Sequence, residues 1–290
     1  MSLLFNSANE IRPEFRTIVF YIFAFLVLVV TQTVVKLAGL GDGAVYQVAV
    51  YPLEAIGLYG LSVMAFHELD HHSSAPLGFR DRKAGLFVLE GIVGGLLAIT
   101  IVFFGVWLLV RETSALTIQP DTALHREFWL WMVIFFSAAA VEEMGFRGYP
   151  FLALRTSLGR WGASILLSIL FVAAHPNFYP SPVAMISTGL GGIVFTQMFV
   201  LAGSLWLPIG FHFGWNLGQA LVFPLHGRAA TLVTASNFNP AALGLTEGAE
   251  QSRWAVAVLL LLTVLAEILI RRKEADSIAG RRRNLLLSSE

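Results

Sequence analysis

The sequence contains no cysteine, and this absence excludes several kinds of site. Disulfide bonds, thiolate zinc sites, iron–sulfur clusters and a cysteine nucleophile are all ruled out. Charge is also scarce, because only 13% of the residues are charged, against roughly 25% in typical soluble domains. The 19 basic residues are balanced by 19 acidic residues. No basic surplus is left to bind phosphates, so we expect no nucleic-acid partner.

Apolar residues dominate what is present. They make up 56% of the 290-residue chain, and its mean hydropathy is +0.72. This composition is the opposite of a disordered chain and indicates an integral membrane protein. A spanning helix needs about 20 mainly apolar residues, so we predict an all-α polytopic membrane protein with about eight transmembrane helices in one domain, residues 1–290. The predicted segments are residues 17–37, 45–66, 85–110, 128–154, 163–175, 182–201, 205–223 and 254–270.

The positions of lysine and arginine predict the orientation, because positively charged loops tend to stay in the cytoplasm. If both termini are cytoplasmic, fourteen of the 19 basic residues lie on the inner side. We therefore expect an even number of spans with both termini inside. The first segment lacks a clear small-x-small cleavage site, so we interpret it as a retained anchor. Residues 271–290 form a basic cytoplasmic tail that we expect to lie on the anionic inner leaflet.

The fourth segment contains AAAVEEMGFRGYPF, which places three charged side chains in an otherwise apolar helix. A charge at the centre of a membrane costs about 2.5 to 3.5 kcal/mol on insertion scales, so each charged residue there needs a structural or functional explanation. Glu143 and Arg147 are four residues apart and can form a structural ion pair. Glu142 points about 100° away from Glu143, so Arg147 cannot lie beside both carboxylates. The Glu142 carboxylate therefore needs a different polar or charged partner.

Two further segments carry polar residues at helical spacing. The fifth ends in LLSILFVAAHP with His175, and the seventh reads LWLPIGFHFGWNLG, with His212 and Asn216 on one helix face. Alone, His175 can cap a helix, and the other two can join helices by hydrogen bonds. Together with Glu142 they supply what water-mediated peptide cleavage needs, namely a base, oxyanion donors and a proton for the leaving amine.

These motifs carry a family resemblance. EEMGFR matches the pattern EExxxR, FVAAH matches FxxxH and HFGWN matches HxxxN, in the same order and on separate spans. The chain resembles the CAAX-protease and bacteriocin-processing family of intramembrane proteases, also called the Abi or type II CAAX prenyl endopeptidase family. The resemblance is specific over residues 128–223, which we expect to form the catalytic core. It implies a helix bundle that encloses a polar cavity within the membrane.

The resemblance also implies an activity and a role for each motif residue. The activity is endopeptidase cleavage of membrane-associated substrates, including lipidated CAAX-type or bacteriocin-like ones. By this resemblance Glu142 is the general base, and His175 helps it to hold the attacking water. His212 and Asn216 form the oxyanion hole. Glu143 and Arg147 support the site or the placement of the substrate.

A metal-dependent version of the site stays open at this point. Glu142, His175 and His212 form a His2Glu ligand set for zinc, with Glu143 free to act as base. We prefer the metal-free mechanism and expect no cofactor. The runner-up class is a non-catalytic transporter or scaffold on the same fold.

A competing motif lies in HELDHH at residues 67–72, which contains the HExxH string of zinc proteases. It follows the last apolar residues of the second segment, and no third ligand follows at a recognisable spacing. We interpret it as a polar helix end at the lipid headgroups. Glu54, near the middle of the same segment, either faces the polar cavity or is a protonated, hydrogen-bonded packing residue.

Overall fold

Eight α-helices and one two-stranded antiparallel sheet make up the described part of the chain. The computed structural model describes residues 4–5, 10–70, 77–111, 116–118, 122–179, 181–223, 225, 233–235, 237, 239, 243, 245 and 248–287. The helices are α1 (Pro13–Leu37), α2 (Ala44–Asp70), α3 (Ala84–Trp107), α4 (Thr122–Arg147), α5 (Tyr149–Ala173), α6 (Pro182–Ala202), α7 (Trp206–Leu217) and α8 (Arg253–Leu287). The strands are β1 (Leu116–Ile118) and β2 (Val233–Ala235).

In the described ranges, six helical stretches are long and apolar enough to cross a membrane. Five belong to α1, α2, α3, α6 and α8, and the sixth joins α4 to α5. Large apolar side chains such as Phe25 in α1 and Leu261 in α8 are exposed on the helix surfaces, as expected where helices contact lipid. The protein is therefore an all-α polytopic membrane protein, as the sequence predicts. The count of eight spans stays a prediction.

The boundary between the fourth and fifth segments differs from the prediction. The sequence predicts one apolar segment over residues 128–154, but α4 ends at Arg147 and α5 begins at Tyr149. Gly148 between them has a non-helical backbone (φ −72°, ψ −126°), and Pro150 lies in the first turn of α5. Proline suits a first turn because its missing N–H would have no intrahelical acceptor there. The predicted end at residue 154 is therefore wrong.

A second break lies inside α5 at Gly159, whose φ of 69° and ψ of 175° are not helical. Glycine reaches positive φ without the steric cost of a Cβ atom, so the chain can change direction there. The arm before the break is fixed by Tyr149. Its ring stacks on Phe20 of α1 with centroids 5.4 Å apart and meets Phe66 of α2 edge-on at 5.1 Å. The arm after the break leads to His175.

The seventh segment ends close to the predicted residue 223, whereas the eighth ends later than predicted. α7 is only 12 residues long and continues into a π-helical turn over Gly218–Val222. α8 runs for 35 residues, well past the predicted end at residue 270. The basic tail therefore begins as a helical extension of the last apolar segment rather than as a separate segment.

α3 and α7 approach closely because glycines line their contact. A Cβ atom at any of these glycines would overlap the backbone of the facing helix. Small residues four apart are a common device for close helix packing in membranes. The contact fixes the position of α7, the helix that carries His212 and Asn216. The four glycines are Gly91 and Gly95 in α3 and Gly210 and Gly214 in α7.

Candidate active site

Two charged residues of α4 form a buried ion pair. The side chains of Glu143 and Arg147 are 0% and 1% exposed, and Arg147 Nη1 lies 3.3 Å from Glu143 Oε1. The guanidinium also lies over the rings of Phe171, at 4.4 Å, and Phe195, at 5.1 Å. Cation–π contacts of this kind offset part of the cost of removing a charge from water. The pair therefore places a neutralised carboxylate at the inner face of α4.

His212 of α7 is oriented by the same carboxylate. Its Nδ1 lies 2.9 Å from Glu143 Oε1, and its ring stacks on Phe195 with centroids 4.7 Å apart. An ionised carboxylate only accepts hydrogen bonds, so Nδ1 carries a proton and donates it. The other ring nitrogen, Nε2, lies 3.8 Å from Glu142 Oε2. Glu143 thus fixes which nitrogen of His212 meets Glu142.

His175 directly follows the last turn of α5. The helix ends there because Pro176 disfavours helical geometry in the residue before it. His175 Nδ1 lies 2.7 Å from the carbonyl oxygen of Phe171. A carbonyl can only accept, so Nδ1 is again the protonated nitrogen. Nε2 of His175 lies 3.8 Å from Glu142 Oε2.

Glu142 is the point at which the two histidines meet. The distance of 3.8 Å from its Oε2 to each Nε2 is longer than the roughly 2.7–3.2 Å of a direct hydrogen bond. Such a gap can be bridged by one water molecule. Within the described part of the chain, Oε2 has no hydrogen-bond partner. Unlike Glu143, Glu142 has a side chain that is 30% exposed.

A cavity of about 220 Å³ opens at this point. Glu142, His175, His212 and Asn216 all line it. Four residues that the sequence singles out, from α4, α7 and the end of α5, are therefore brought together in one space. Glu143 and Arg147 are not in the lining and lie behind it as the pair that supports His212.

Part of the cavity wall comes from residues that the sequence motifs do not mark. Glu250, in the short helical turn Ala249–Gln251, accepts hydrogen bonds at Oε1 from Trp215 Nε1 (3.1 Å) and Gln219 Nε2 (3.2 Å). One signal for Gln219 exists in the sequence, because it follows His212 by seven residues and so shares its helix face. Glu250 gives no such signal, since it stands in a polar loop where a carboxylate is unremarkable.

The described part of the competing HELDHH string, residues 67–70, forms the end of α2, away from the cavity lining. His67 and Glu68 are 80% and 69% exposed, and His67 Nδ1 lies 2.8 Å from Glu68 Oε1. Neither residue lines the cavity. His71 and His72 lie outside the described residues.

Glu54 is a packing residue. It is 2% exposed and accepts a hydrogen bond from Gln32 Nε2 of α1 at 3.0 Å. It is not part of the cavity lining, so of the two alternatives for this carboxylate the structure favours hydrogen-bonded packing.

Two observations bear on a zinc ion held by Glu142, His175 and His212, and they point in opposite directions. Both histidines bind an oxygen through Nδ1 and turn Nε2 towards Glu142, as metal-ligating histidines commonly do. However, no group of three or more acidic or histidine side chains among the described residues is arranged to hold a metal. The donor types fit a zinc ion, and we derive no chemical step through a metal.

By its fold and its site, the protein is a polytopic helical membrane protein with a cavity lined by carboxylates and histidines. The model of the type II CAAX prenyl endopeptidase Rce1-like family matches residues 124–218, about a third of the chain. This range contains all six motif residues, so the resemblance seen in the sequence is confirmed there. The match supports a CAAX-type intramembrane protease. No curated protein and no solved structure matches the chain.

Proposed function

We propose that the chain is an intramembrane endopeptidase that hydrolyses peptide bonds of membrane-associated substrates. The observation that carries this proposal is the convergence of Glu142 Oε2 with Nε2 of both His175 and His212 at one cavity. A carboxylate, two imidazoles and an amide are sufficient for attack by an activated water. The family match supports the same reaction. The proposed substrates include lipidated CAAX-type and bacteriocin-like peptides.

In the proposed mechanism one water occupies the gap between Glu142 and His175. It donates one hydrogen bond to Glu142 Oε2 and the other to Nε2 of His175, which is free of a proton in the neutral ring. Its lone pairs then face the scissile carbonyl carbon. Glu142 takes the proton as the new C–O bond forms, and general base catalysis of this kind contributes about 100- to 10,000-fold.

His212 and Asn216 stabilise the negative charge that develops on the carbonyl oxygen. The amide of Asn216 donates directly. Nε2 of His212 can donate only if both ring nitrogens carry protons, because Nδ1 already donates to Glu143. Charge balance favours that form, since Glu142, Glu143 and Arg147 together carry one net negative charge that an imidazolium neutralises.

The tetrahedral intermediate collapses when the leaving nitrogen receives a proton. Glu142 holds the proton that it took from water and delivers it to the amine, which restores the carboxylate for the next cycle. Glu143 keeps its contacts with Arg147 and His212 throughout. Its proposed role is therefore to orient His212 rather than to exchange protons with substrate.

A zinc-dependent form of the same protease is the second candidate. The observation in its favour is that His175 and His212 both donate from Nδ1 and leave Nε2 to act as a ligand. Glu142 would be the third ligand, and zinc would supply Lewis-acid activation of a water. Glu143 would then have to act as the base, although it lies outside the cavity lining and is bound to Arg147. This last point is why we prefer the metal-free form.

We further propose that both termini face the cytoplasm and that residues 128–223 are the catalytic core. The bias of lysine and arginine towards one set of loops supports the orientation. The positions of the motif residues on α4, α5 and α7 support the core.

The test compares membrane peptides from cells that carry the wild type, Glu142→Gln or Glu90→Gln. Glu90 is an exposed carboxylate outside the cavity and serves as the matched control. Products made by the wild type and by Glu90→Gln should fall by about 100-fold or more with Glu142→Gln, because the amide cannot take a proton.

Substrate flux without any cleaved product would instead support a transporter. A chelator completes the experiment. Activity that is lost with the chelator and restored by zinc, with the Glu142 dependence intact, would replace the metal-free mechanism by the zinc-dependent one.

A further inference from the structure

Glu250 brings a second carboxylate to the cavity wall, and no cation stands beside it among the described residues. Its Oε1 accepts two hydrogen bonds from neutral donors, Trp215 Nε1 and Gln219 Nε2. Its Oε2 is buried and has no hydrogen-bond partner in the described part of the chain. A buried carboxylate oxygen without a donor is unfavourable. One oxygen of Glu250 therefore lacks the hydrogen bond that a buried carboxylate needs.

The turn that carries Glu250 is fixed in place. Gln219 binds it twice, because its Oε1 accepts from the Ala249 backbone N–H at 2.9 Å while its Nε2 donates to the Glu250 carboxylate. On the other side, Ser187 Oγ of α6 donates to the backbone carbonyl of Glu250. Contacts with both α6 and the end of α7 hold the carboxylate in position before any substrate arrives, which is what a recognition group needs.

The spacing along α7 relates Glu250 to the reacting centre. Trp215 and Gln219 follow His212 by three and seven residues, which corresponds to about 4.5 and 10.5 Å along a helix. A carboxylate bonded to both lies between these heights. Extended peptide advances about 3.3 Å per residue. Glu250 therefore lies within reach of substrate side chains a few residues from the cleaved bond.

The charge of the wall determines which group suits this position. Glu142, His212 and Glu250 line the cavity, and its described lining contains neither lysine nor arginine. The proposed imidazolium of His212 balances Glu142, so the charge of Glu250 is left without a counter-ion in that lining. The positive charge of Arg147 lies behind the wall and is paired with Glu143. A carboxylate without a counter-ion in a small space attracts a cation and repels a further carboxylate.

We propose that Glu250 is a specificity-determining residue that binds a lysine or arginine side chain of the substrate, within about three residues of the cleaved bond. This inference rests on the proposed function and narrows its substrate class. The ammonium or guanidinium group donates to Glu250 Oε2 and gives that oxygen the partner it lacks. A substrate carboxylate at the same position is excluded by repulsion.

The first arm of the test measures cleavage by the purified full chain in lipid vesicles. The substrates are membrane-anchored peptides that differ only in carrying Lys, Arg, Gln or Glu at each position within three residues of the cleaved bond. At one position the wild type should cleave the Lys and Arg peptides about 10-fold or more faster in kcat/KM than the Gln peptide, and the Glu peptide most slowly.

Variants of Glu250 assign that preference to its charge. Glu250→Gln should reduce the preference for Lys over Gln, measured as a ratio of kcat/KM values within that variant, to about 2-fold. Glu250→Asp keeps the charge and should keep the preference for Lys in a weaker form. Glu90→Gln should behave as wild type. A preference for Lys that survives in Glu250→Gln, or a wild type that favours Gln or Glu at every position, overturns the proposal.

A second arm measures binding and does not depend on turnover. Fluorescent Lys and Gln peptides are titrated onto Glu142→Gln in vesicles, and onto the same variant with Glu250→Gln added. Glu142→Gln should bind the Lys peptide about 10-fold more tightly than the Gln peptide, and the double variant should bind the two peptides with equal affinity.

The two arms separate the two proposals. Binding that favours Lys and depends on Glu250, with no cleavage by the wild type, would remove the protease and keep the cation site. Cleavage by the wild type with equal binding of the Lys and Gln peptides would keep the protease and remove the cation site. The thermal unfolding midpoint of Glu250→Gln shows whether the variant is folded, and Glu250→Asp carries the test if it is not.

Discussion

The buried pair of Glu143 and Arg147 behaves as one unit, because either residue alone is an uncompensated charge away from water. Arg147→Met should destabilise the protein by about 3–5 kcal/mol, since it leaves the Glu143 carboxylate buried without its cation. Adding Glu143→Gln removes that charge and keeps an oxygen to accept from His212 Nδ1, so the double variant should recover most of the loss. Thermal unfolding of the purified protein in detergent measures both.

Glu90→Gln is again the matched control, because it removes a carboxylate that is exposed. The stability lost by the double variant is compared with the sum of the losses caused by Arg147→Met and by Glu143→Gln alone. If the two values are equal, the residues are independent, and the coupling that we describe does not exist.

Residues of the candidate site differ in how visible they are in the sequence. Glu142, His175, His212 and Asn216 are polar residues within apolar segments, and each is noticeable because the membrane makes it costly there. Glu250 is polar in a loop, where polar residues are expected, and only the folded chain brings it to Trp215 and Gln219. The sequence already separates Glu142 from Glu143 by their different directions on the helix, and the structure adds the contact of Glu143 with His212.

At the scale of elements, the glycine contact between α3 and α7 controls where His212 and Asn216 stand. Gly214→Ala should lower the cleavage rate by about 10-fold or more, because its Cβ would overlap the backbone of Ile92 and push α7 away. Insertion into the membrane should be unchanged, since alanine is apolar. The measurement is cleavage per unit of inserted protein.

Gly60→Ala is the matched control, because no atom lies within 4 Å of a Cβ placed there. It should keep its full activity. A Gly214→Ala variant that is as active as Gly60→Ala would show that the close approach of α3 and α7 is not needed to position the site.

Hydropathy locates the helices because exposed faces meet lipid and buried faces meet other helices, so both are apolar. Because the sequence is apolar on all sides of these helices, hydropathy does not show where a helix ends. Gly148 separates α4 from α5 within an apolar stretch, and the predicted segment 128–154 therefore runs past a real boundary, whereas Gly159 falls in the gap predicted between residues 154 and 163. Backbone angles at glycine are not encoded in hydropathy, and this limits the prediction of helix ends.

At the scale of the whole molecule, the loop charges predict a definite orientation in the membrane. Reporter fusions after Ser289 and within the 224–253 loop should report opposite sides, with the C-terminal fusion in the cytoplasm. A third fusion between α2 and α3, at residues 77–83, serves as the control and should agree with the C-terminal one. Reports of the same side from the first two fusions would remove the topology with both termini inside.

The contact of α3 with α7 also joins an early part of the chain to a late one. The ribosome releases α3 long before α7, so a nascent chain that ends at Ala202 already contains Glu142 and His175 but lacks His212 and Asn216. Translation must continue past α7 before the glycine surfaces can dock and the four cavity residues can meet. The proposed proteolytic activity therefore requires a chain that has been synthesised past α7.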